Sequence, residues 1–201
     1  MIIDPVMLLT FMAASVALYL TPGADMMFIS ASGAAGGPRV GLAAGLGVTT
    51  GSLFHTVLAV AGVAALIATS PVAFDALRYA GAAYLVYLAI TAWRAGPPEP
   101  GTGTHDTWRA FRRGALTNIL NPKVSVFVLA FLPQFVDPDA GPVWLQIAIL
   151  GTIFSVAAIP FNCSYGLLGA AFASPLRRAG RLLNRISSIV FGGLAAKLVI
   201  D

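Results

Sequence analysis

The sequence predicts an all-α integral membrane protein with six transmembrane helices, and three observations lead to this prediction. Of the 201 residues, 58% are hydrophobic and only 10% are charged, whereas a soluble domain usually carries about 25% charged residues. The apolar residues are gathered into six long segments. The basic residues are concentrated in alternate connections between these segments, which is typical of a protein that crosses a membrane several times.

The six apolar segments cover residues 5–33, 42–69, 76–93, 114–136, 143–173 and 182–200. Each meets the length of about 20 residues that a membrane-spanning helix needs, although the last is marginal. We expect the first segment not to be a secretory signal peptide, because Asp4 stands where a basic region would be and the segment continues past the length of the apolar region of a signal peptide.

A linker rich in proline and glycine, residues 95–108, divides the single transmembrane domain, residues 1–201, into the halves 1–94 and 109–201. Each half contains three predicted helices. An odd number of spans makes the second half enter the bilayer from the opposite side. The sequence therefore predicts a 3+3 inverted repeat, an arrangement common among transporters.

The first and fourth predicted helices are each broken by a proline beside a charged residue, Asp25 or Lys123. The residues of the breaks are Thr21, Pro22 and Gly23 in the first helix and Asn121 and Pro122 in the fourth. A charged side chain at the bilayer centre costs roughly 2.5–3.5 kcal/mol even on the lenient insertion scale. Broken helices that carry ionisable groups are typical of substrate sites near the membrane midplane.

Asp25 and Lys123 are predicted to lie at the same depth. Asp25 precedes Gly36, the inner end of segment one, by eleven residues, and Lys123 follows Gly114, the inner start of segment four, by nine. At about 1.5 Å per residue both lie roughly 14–16 Å from the same edge, near the centre of a core about 30 Å thick. The two residues are either the charged groups of a binding site or an inert ion pair.

His55 lies at a similar depth in the second predicted helix. Histidine changes its charge near neutral pH, which suits proton coupling, but a packed histidine that hydrogen-bonds to a neighbouring helix is the alternative. The same helix carries glycines at positions 41, 45, 47 and 51. This spacing predicts close packing against other helices.

The basic residues set the predicted orientation. Nine of them fall in the connections after segments one, three and five, at positions 39, 94, 109, 112, 113, 177, 178, 181 and 185, and two, at 78 and 197, fall on the other side. By the positive-inside rule both termini lie outside the cytoplasm. Because topology accounts for the basic excess, we expect no nucleic-acid partner.

Several function classes have little support in the sequence. The lone Cys163 excludes an internal disulfide and a thiol–disulfide carrier. One His, one Cys and one Asp in the spans are few for a metal-ion exporter, which stays an alternative. No base–nucleophile set indicates an enzyme, and no cofactor is expected. A passive channel also remains open, and dependence of efflux on a pH gradient would separate it from an antiporter.

The chain resembles the LysE/RhtB family of bacterial amino-acid exporters over nearly its whole length. The matching stretches are TPGADMMFI (21–29), GSLFHT (51–56), LRYAGAAYLVYLAITAWRA (77–95), FRRGALTNILNPKVSVFVLAFLPQFVDP (111–138) and LLNRISSIVFGGLAAKL (182–198). The fourth is the most specific. Ala24 stands where the family usually has a second proline, and Val124 where it usually has alanine.

The resemblance implies export of amino acids or their derivatives across the bacterial inner membrane in exchange for protons. It carries Asp25, Lys123 and His55 over as matching residues, and Asn121 completes the predicted site. A carboxylate, an ammonium and exposed helix ends complement a zwitterion. The small, apolar lining favours neutral amino acids. The expected partners are the substrate, protons and the lipid bilayer, and a homo-oligomer is compatible with this prediction.

Overall fold

The computed structural model describes residues 3–63, 65–66, 70–95 and 102–200, and these ranges contain helices and turns but no strand. The α-helices are α1 (Pro5–Leu20), α2 (Ala24–Gly36), α3 (Pro38–Leu58), α4 (Pro71–Arg94), α5 (Thr107–Ile119), α6 (Pro122–Val126), α7 (Val143–Ala157), α8 (Ile159–Leu167) and α9 (Gly169–Ile200). A π-helical turn, Ala59–Val63, continues α3. A second one, Phe127–Phe131, follows α6 and leads into the 3₁₀ turns Leu132–Phe135 and Pro138–Ala140. The all-α prediction is confirmed for the described residues.

Two helices in the described ranges, Pro38–Gly62 and Val143–Leu167, are long and apolar enough to cross a membrane. Two bent pairs also pass this test when their members are taken together. They are α1 with α2 and α5 with Pro122–Phe135, and each pair is bent by 52°. The described residues thus hold two candidate spans, or up to four. The six-span count and the inverted repeat stay predictions.

Both helix breaks lie where the prolines predict them. The first helix ends at Leu20, and the backbone is extended at Thr21 and Gly23 before α2 begins at Ala24. At the second break the backbone of Asn121 is extended, and its side-chain oxygen accepts a hydrogen bond from the N–H of Lys123 at 3.1 Å. Pro122 then takes the first position of α6, where its missing N–H leaves no bond unmade.

The structure differs from the sequence prediction in the last third of the chain. The predicted fifth segment, 143–173, is interrupted at Ala158 and ends at Leu167, and α9 runs without a break through the predicted connection before segment six. Arginine and leucine favour helix, so a polar stretch need not end one. In the linker 95–108, residues 96–101 lie outside the described residues, and α5 begins at Thr107.

Glycines allow α3 to approach two other helices closely. A side chain at Gly47 would overlap the carbonyl of Phe111 in α5, and one at Gly41 would overlap the carbonyl of Gly166 in α8. The glycines of α3 therefore face two partners, with Gly41 and Gly45 toward α8 and Gly47 and Gly51 toward α5. The predicted close packing is confirmed.

A buried aromatic cluster joins α1, the chain after α6, and α7. The ring of Phe11 lies 5.9 Å from that of Phe127 and 5.3 Å from that of Phe135, and Phe127 lies 5.0 Å from Phe154. Phe11 precedes the first break, and Phe127 and Phe135 follow the second. Aromatic contacts of this kind stabilise a fold beyond the area they bury, so the cluster fixes the two broken helices against each other on one side of the breaks.

Candidate functional site

The two helix breaks contact each other through Lys123. Its ammonium nitrogen Nζ donates hydrogen bonds to the carbonyl oxygen of Thr21 at 3.1 Å and to that of Leu18 at 3.4 Å. Carbonyls in the last turn of a helix lack intrahelical donors, and a positive charge is favourable there. Lys123 of the second broken helix therefore caps the end of α1 in the first.

Asp25 makes the reciprocal contact from the first turn of α2. Its Oδ2 atom accepts hydrogen bonds from the side-chain amides of Asn118 at 2.8 Å and Asn121 at 3.0 Å. Asn121 thus has two functions, since its oxygen caps α6 and its nitrogen holds the carboxylate. Each charged residue is fixed by the break in the other helix.

Asp25 and Lys123 line one cavity, but the ammonium nitrogen of Lys123 lies more than 4.0 Å from both carboxylate oxygens of Asp25. The cavity holds about 40 Å³, which is room for a few water molecules. Ser52, Asn118 and Asn162 add polar groups to its wall. A whole amino acid does not fit this volume, so a substrate reaches both charges only after the surrounding helices separate.

One oxygen of Asp25 has no hydrogen-bond partner among the residues that the structure describes. The Oδ1 atom is buried, and no hydrogen-bond donor contacts it in the described part of the chain. A buried polar atom left unpaired costs about 1–3 kcal/mol, and more when it is charged. A proton, or the ammonium group of a ligand, would satisfy Oδ1 while Oδ2 stays bonded to the two asparagines.

His55 is buried beside the site but does not line the cavity. Its Nε2 lies 3.1 Å from the carbonyl oxygen of Asn118 and 3.4 Å from the hydroxyl of Ser125. Because a carbonyl only accepts, Nε2 carries the hydrogen, and the buried Nδ1 is the basic nitrogen. No group of three or more His, Cys, Asp or Glu side chains that could hold a metal occurs in the described ranges.

Sequence reasoning missed Asn118 and the two tyrosines of the cavity wall. In the predicted fourth helix Asn118 stands three residues before Asn121, and this spacing was the available signal. In the structure the two residues lie on either side of the second break. The hydroxyl of Tyr19 donates to the carbonyl of Phe154 at 2.6 Å, and that of Tyr165 donates to the carbonyl of Tyr19 at 3.2 Å. Nothing in the sequence distinguishes these tyrosines from others in the apolar segments.

Two larger cavities adjoin the central one. The first, which we call the apolar cavity, has a volume of about 420 Å³ and shares Met26 and Tyr165 with the central cavity. The second, the hydroxyl-lined cavity, has a volume of about 290 Å³ and shares Thr21 and Lys123. The described residues that line the apolar cavity are Leu20, Met26, Pro160, Phe161, Ser164, Tyr165 and Leu183. Because Leu20, Pro160 and Ser164 are exposed, the cavity is open on that side. Tyr84, Thr91 and Asn184 contribute polar groups to the hydroxyl-lined cavity.

Comparison with known proteins gives matches over most of the chain. Residues 16–201 match the family described as "LysE type translocator". A Vibrio cholerae protein named "Uncharacterized membrane protein" is 35% identical over 174 residues, 83% of this chain and 84% of its own. The leucine efflux protein of Klebsiella pneumoniae is 30% identical over 199 residues, which are 94% of this chain and 93% of that protein. The leucine efflux protein of Salmonella typhimurium is 29% identical over 197 residues, which are 94% of this chain and 92% of that protein. No solved structure matches significantly.

Proposed function

We propose that the chain exports amino acids from the cytoplasm by proton antiport. The chain belongs to the LysE type translocator family, and it is therefore a multi-pass membrane transporter and not an enzyme. Amino-acid export agrees with the leucine efflux proteins among its relatives. The observation that carries the antiport mechanism is the contact between the two helix breaks, which brings Asp25 and Lys123 to one cavity.

The two charges complement a zwitterionic substrate. The free Oδ1 of Asp25 is available to accept the substrate ammonium, and Lys123 is available to bind the substrate carboxylate once it leaves the end of α1. Transporters commonly place broken helix ends against the charged groups of their substrates. Asn118 and Asn121 keep the carboxylate of Asp25 in place during this exchange.

Antiport follows if Asp25 binds either a proton or the substrate ammonium, but not both. A proton arriving from outside then displaces the amino acid, and loss of that proton to the cytoplasm restores the site. His55 supplies a second proton-binding group next to this carboxylate. It connects to Asp25 through Asn118, whose backbone oxygen contacts the imidazole and whose amide contacts the carboxylate.

The transporter is proposed to have six spans in a bacterial inner membrane, with both termini outside the cytoplasm and its two halves forming a 3+3 inverted repeat within one domain. The equal bends of 52°, one in each half, support the repeat. The excess of basic residues in the connections after segments one, three and five supports the orientation, because basic connections tend to stay in the cytoplasm.

The test is efflux from dipeptide-loaded cells that produce the Asp25→Asn or the Lys123→Met variant. An asparagine oxygen can still accept the hydrogen bonds of Asn118 and Asn121, so Asp25→Asn removes the charge and little else. We expect either change to lower efflux to the level of cells without the protein, while the variant still inserts. Asp75→Asn is the matched control, because that exposed carboxylate pairs with Arg78 outside the site.

The double variant separates a binding site from a structural pair. Replacing both members of a buried charge pair by neutral groups is often harmless to a fold. A structural pair would therefore give a double variant that exports normally, and this result would refute the proposal. A site gives a double variant that is folded and inactive. If the efflux rate of the unaltered protein does not depend on the pH gradient, the protein is instead a passive channel.

A further inference from the structure

We propose that the apolar cavity binds the side chain of the exported amino acid and selects aliphatic side chains over cationic ones. This inference rests on the proposed amino-acid export, and it adds the group of residues that determines which substrate is chosen. The relevant cavity is the one of about 420 Å³ that shares Met26 and Tyr165 with the central cavity.

The position of the apolar cavity suits a substrate side chain. Met26 directly follows Asp25, and it lines both cavities. The side chain of an amino acid branches from the same carbon that carries its ammonium group. An ammonium held at Oδ1 of Asp25 therefore places that carbon near Met26, and the side chain enters the apolar cavity past Met26 and Tyr165. Methionine has an unbranched, adaptable side chain, which suits this dividing position.

The lining of the apolar cavity excludes a cationic side chain. Among the described residues that line it, none is charged, and Ser164 and Tyr165 are the polar ones. The hydroxyl of Ser164 already donates to the carbonyl of Pro160 at 2.7 Å. A lysine or arginine substrate would bring a charge with no partner into apolar surroundings, which is strongly unfavourable.

The hydroxyl-lined cavity is less suited to an apolar side chain. Tyr84, Thr91 and Asn184 present polar groups there, and Lys123 adds a positive charge. An aliphatic side chain in that cavity would displace water from these groups without replacing its hydrogen bonds. The apolar cavity is therefore the favoured position for the side chain, and its volume lies within the usual range of roughly 300–1,000 Å³ for ligand sites.

The first measurement is competition in proteoliposomes that contain the unaltered protein and radiolabelled leucine. One methylene in an apolar pocket changes selectivity by roughly 10- to 200-fold. We therefore expect unlabelled leucine to compete at least ~10 times better than alanine, and lysine to compete no better than alanine. Equal competition by leucine and lysine would overturn the proposal.

A bulky residue inside the cavity gives the sharper test. Ser164→Phe fills the apolar cavity without touching Asp25 or Lys123, and we expect it to lower the preference for leucine over alanine by at least ~10-fold. Leu167→Phe is the matched control, because Leu167 lies on the same helix, is exposed and does not line the cavity. Ser164→Glu adds a carboxylate to the cavity, and lysine should then compete better relative to leucine.

Other outcomes are informative in different ways. An unchanged ratio of leucine to alanine in Ser164→Phe would show that the cavity does not hold the substrate side chain, and it would overturn this inference alone. Absence of transport of every amino acid by the unaltered protein would refute the proposed function instead. If Ser164→Phe fails to insert, Phe161→Ala enlarges the same cavity, and it should improve competition by phenylalanine relative to leucine. An unchanged ratio there also overturns the inference.

Discussion

Asn118 links more of the site than either charged residue does. Its amide nitrogen holds the carboxylate of Asp25, its side-chain oxygen lies 3.4 Å from the hydroxyl of Ser52, and its backbone oxygen contacts His55. A shift of any of these three side chains therefore reaches the others through one residue. This arrangement gives His55 an effect on Asp25 although the imidazole lies outside the cavity.

Replacing His55 by glutamine tests its proposed proton-coupling role. The amide nitrogen of glutamine can donate to the carbonyl of Asn118 as Nε2 does, but the imidazole that is proposed to bind a proton is removed. We expect efflux at its optimum to fall only several-fold, while its dependence on external pH between about 6 and 8 becomes flatter. Efflux rates measured across this range at a constant gradient give the result.

The chain offers its own control for this experiment. It contains two histidines, and the second, His105, is exposed before the start of α5. His105→Gln should leave the pH profile unchanged. A profile that also stays unchanged in His55→Gln would return His55 to the packing role that the sequence left open.

Charge and proline made part of the site predictable. Asp25 and Lys123 stand out because an ionisable residue in an apolar segment is rare and expensive, and Asn121 stands beside a proline. Asn118, Tyr19 and Tyr165 carry no such signal. Neutral polar and aromatic residues are common in membrane helices, and only the packing of the helices decides which of them face the cavity.

At the scale of the helices, the contact of α3 with α5 positions Asn118. A Cβ atom at Gly51 would lie 2.7 Å from the Cβ of Asn118 and 2.8 Å from the carbonyl oxygen of Ala115. Gly51→Ala must therefore push these helices apart, at about 1–3 kcal/mol of stability for overpacking. We expect a lower thermal unfolding temperature in detergent and reduced efflux, because Asn118 no longer holds Asp25.

Gly192→Ala is the comparison for that variant, since a Cβ atom there meets nothing within 4 Å. It should keep the efflux of the unaltered protein, and its unfolding temperature should be equal or slightly higher, because alanine favours helix more than glycine does. Two variants with equal unfolding temperatures and equal efflux would show that α3 and α5 do not approach each other as closely as described.

The helix breaks were predictable to the residue, whereas the interruption at Ala158 was not. At the breaks, a proline coincides with residues that favour extended backbone or cap a helix, so several local signals agree. Before Pro160 there is no such agreement, and a proline alone can kink a helix or leave it nearly continuous. The start of α9 at Gly169 was missed because helix propensity overrode the basic composition of the predicted connection.

For the whole molecule, the orientation is the proposal that is easiest to test. In a Cys163→Ser background, which removes the lone cysteine, a single cysteine is placed at the exposed position of His105 or of Asp139. A membrane-impermeant maleimide added outside spheroplasts should label Asp139→Cys and leave His105→Cys unlabelled until the membrane is opened. Labelling of His105→Cys from outside would reverse the orientation.

The contact of Lys123 with the end of α1 creates a thermodynamic linkage between occupancy and shape. An anion that attracts the ammonium deprives the carbonyls of Thr21 and Leu18 of their charged donor, and a hydrogen bond to a charged group contributes about 1.5–3 kcal/mol. That amount resembles the few kcal/mol that separate the alternative states of many proteins. A carboxylate that binds Lys123 therefore also changes the balance of forces that sets the angle between α1 and α2, so that ligand binding can reorient α1.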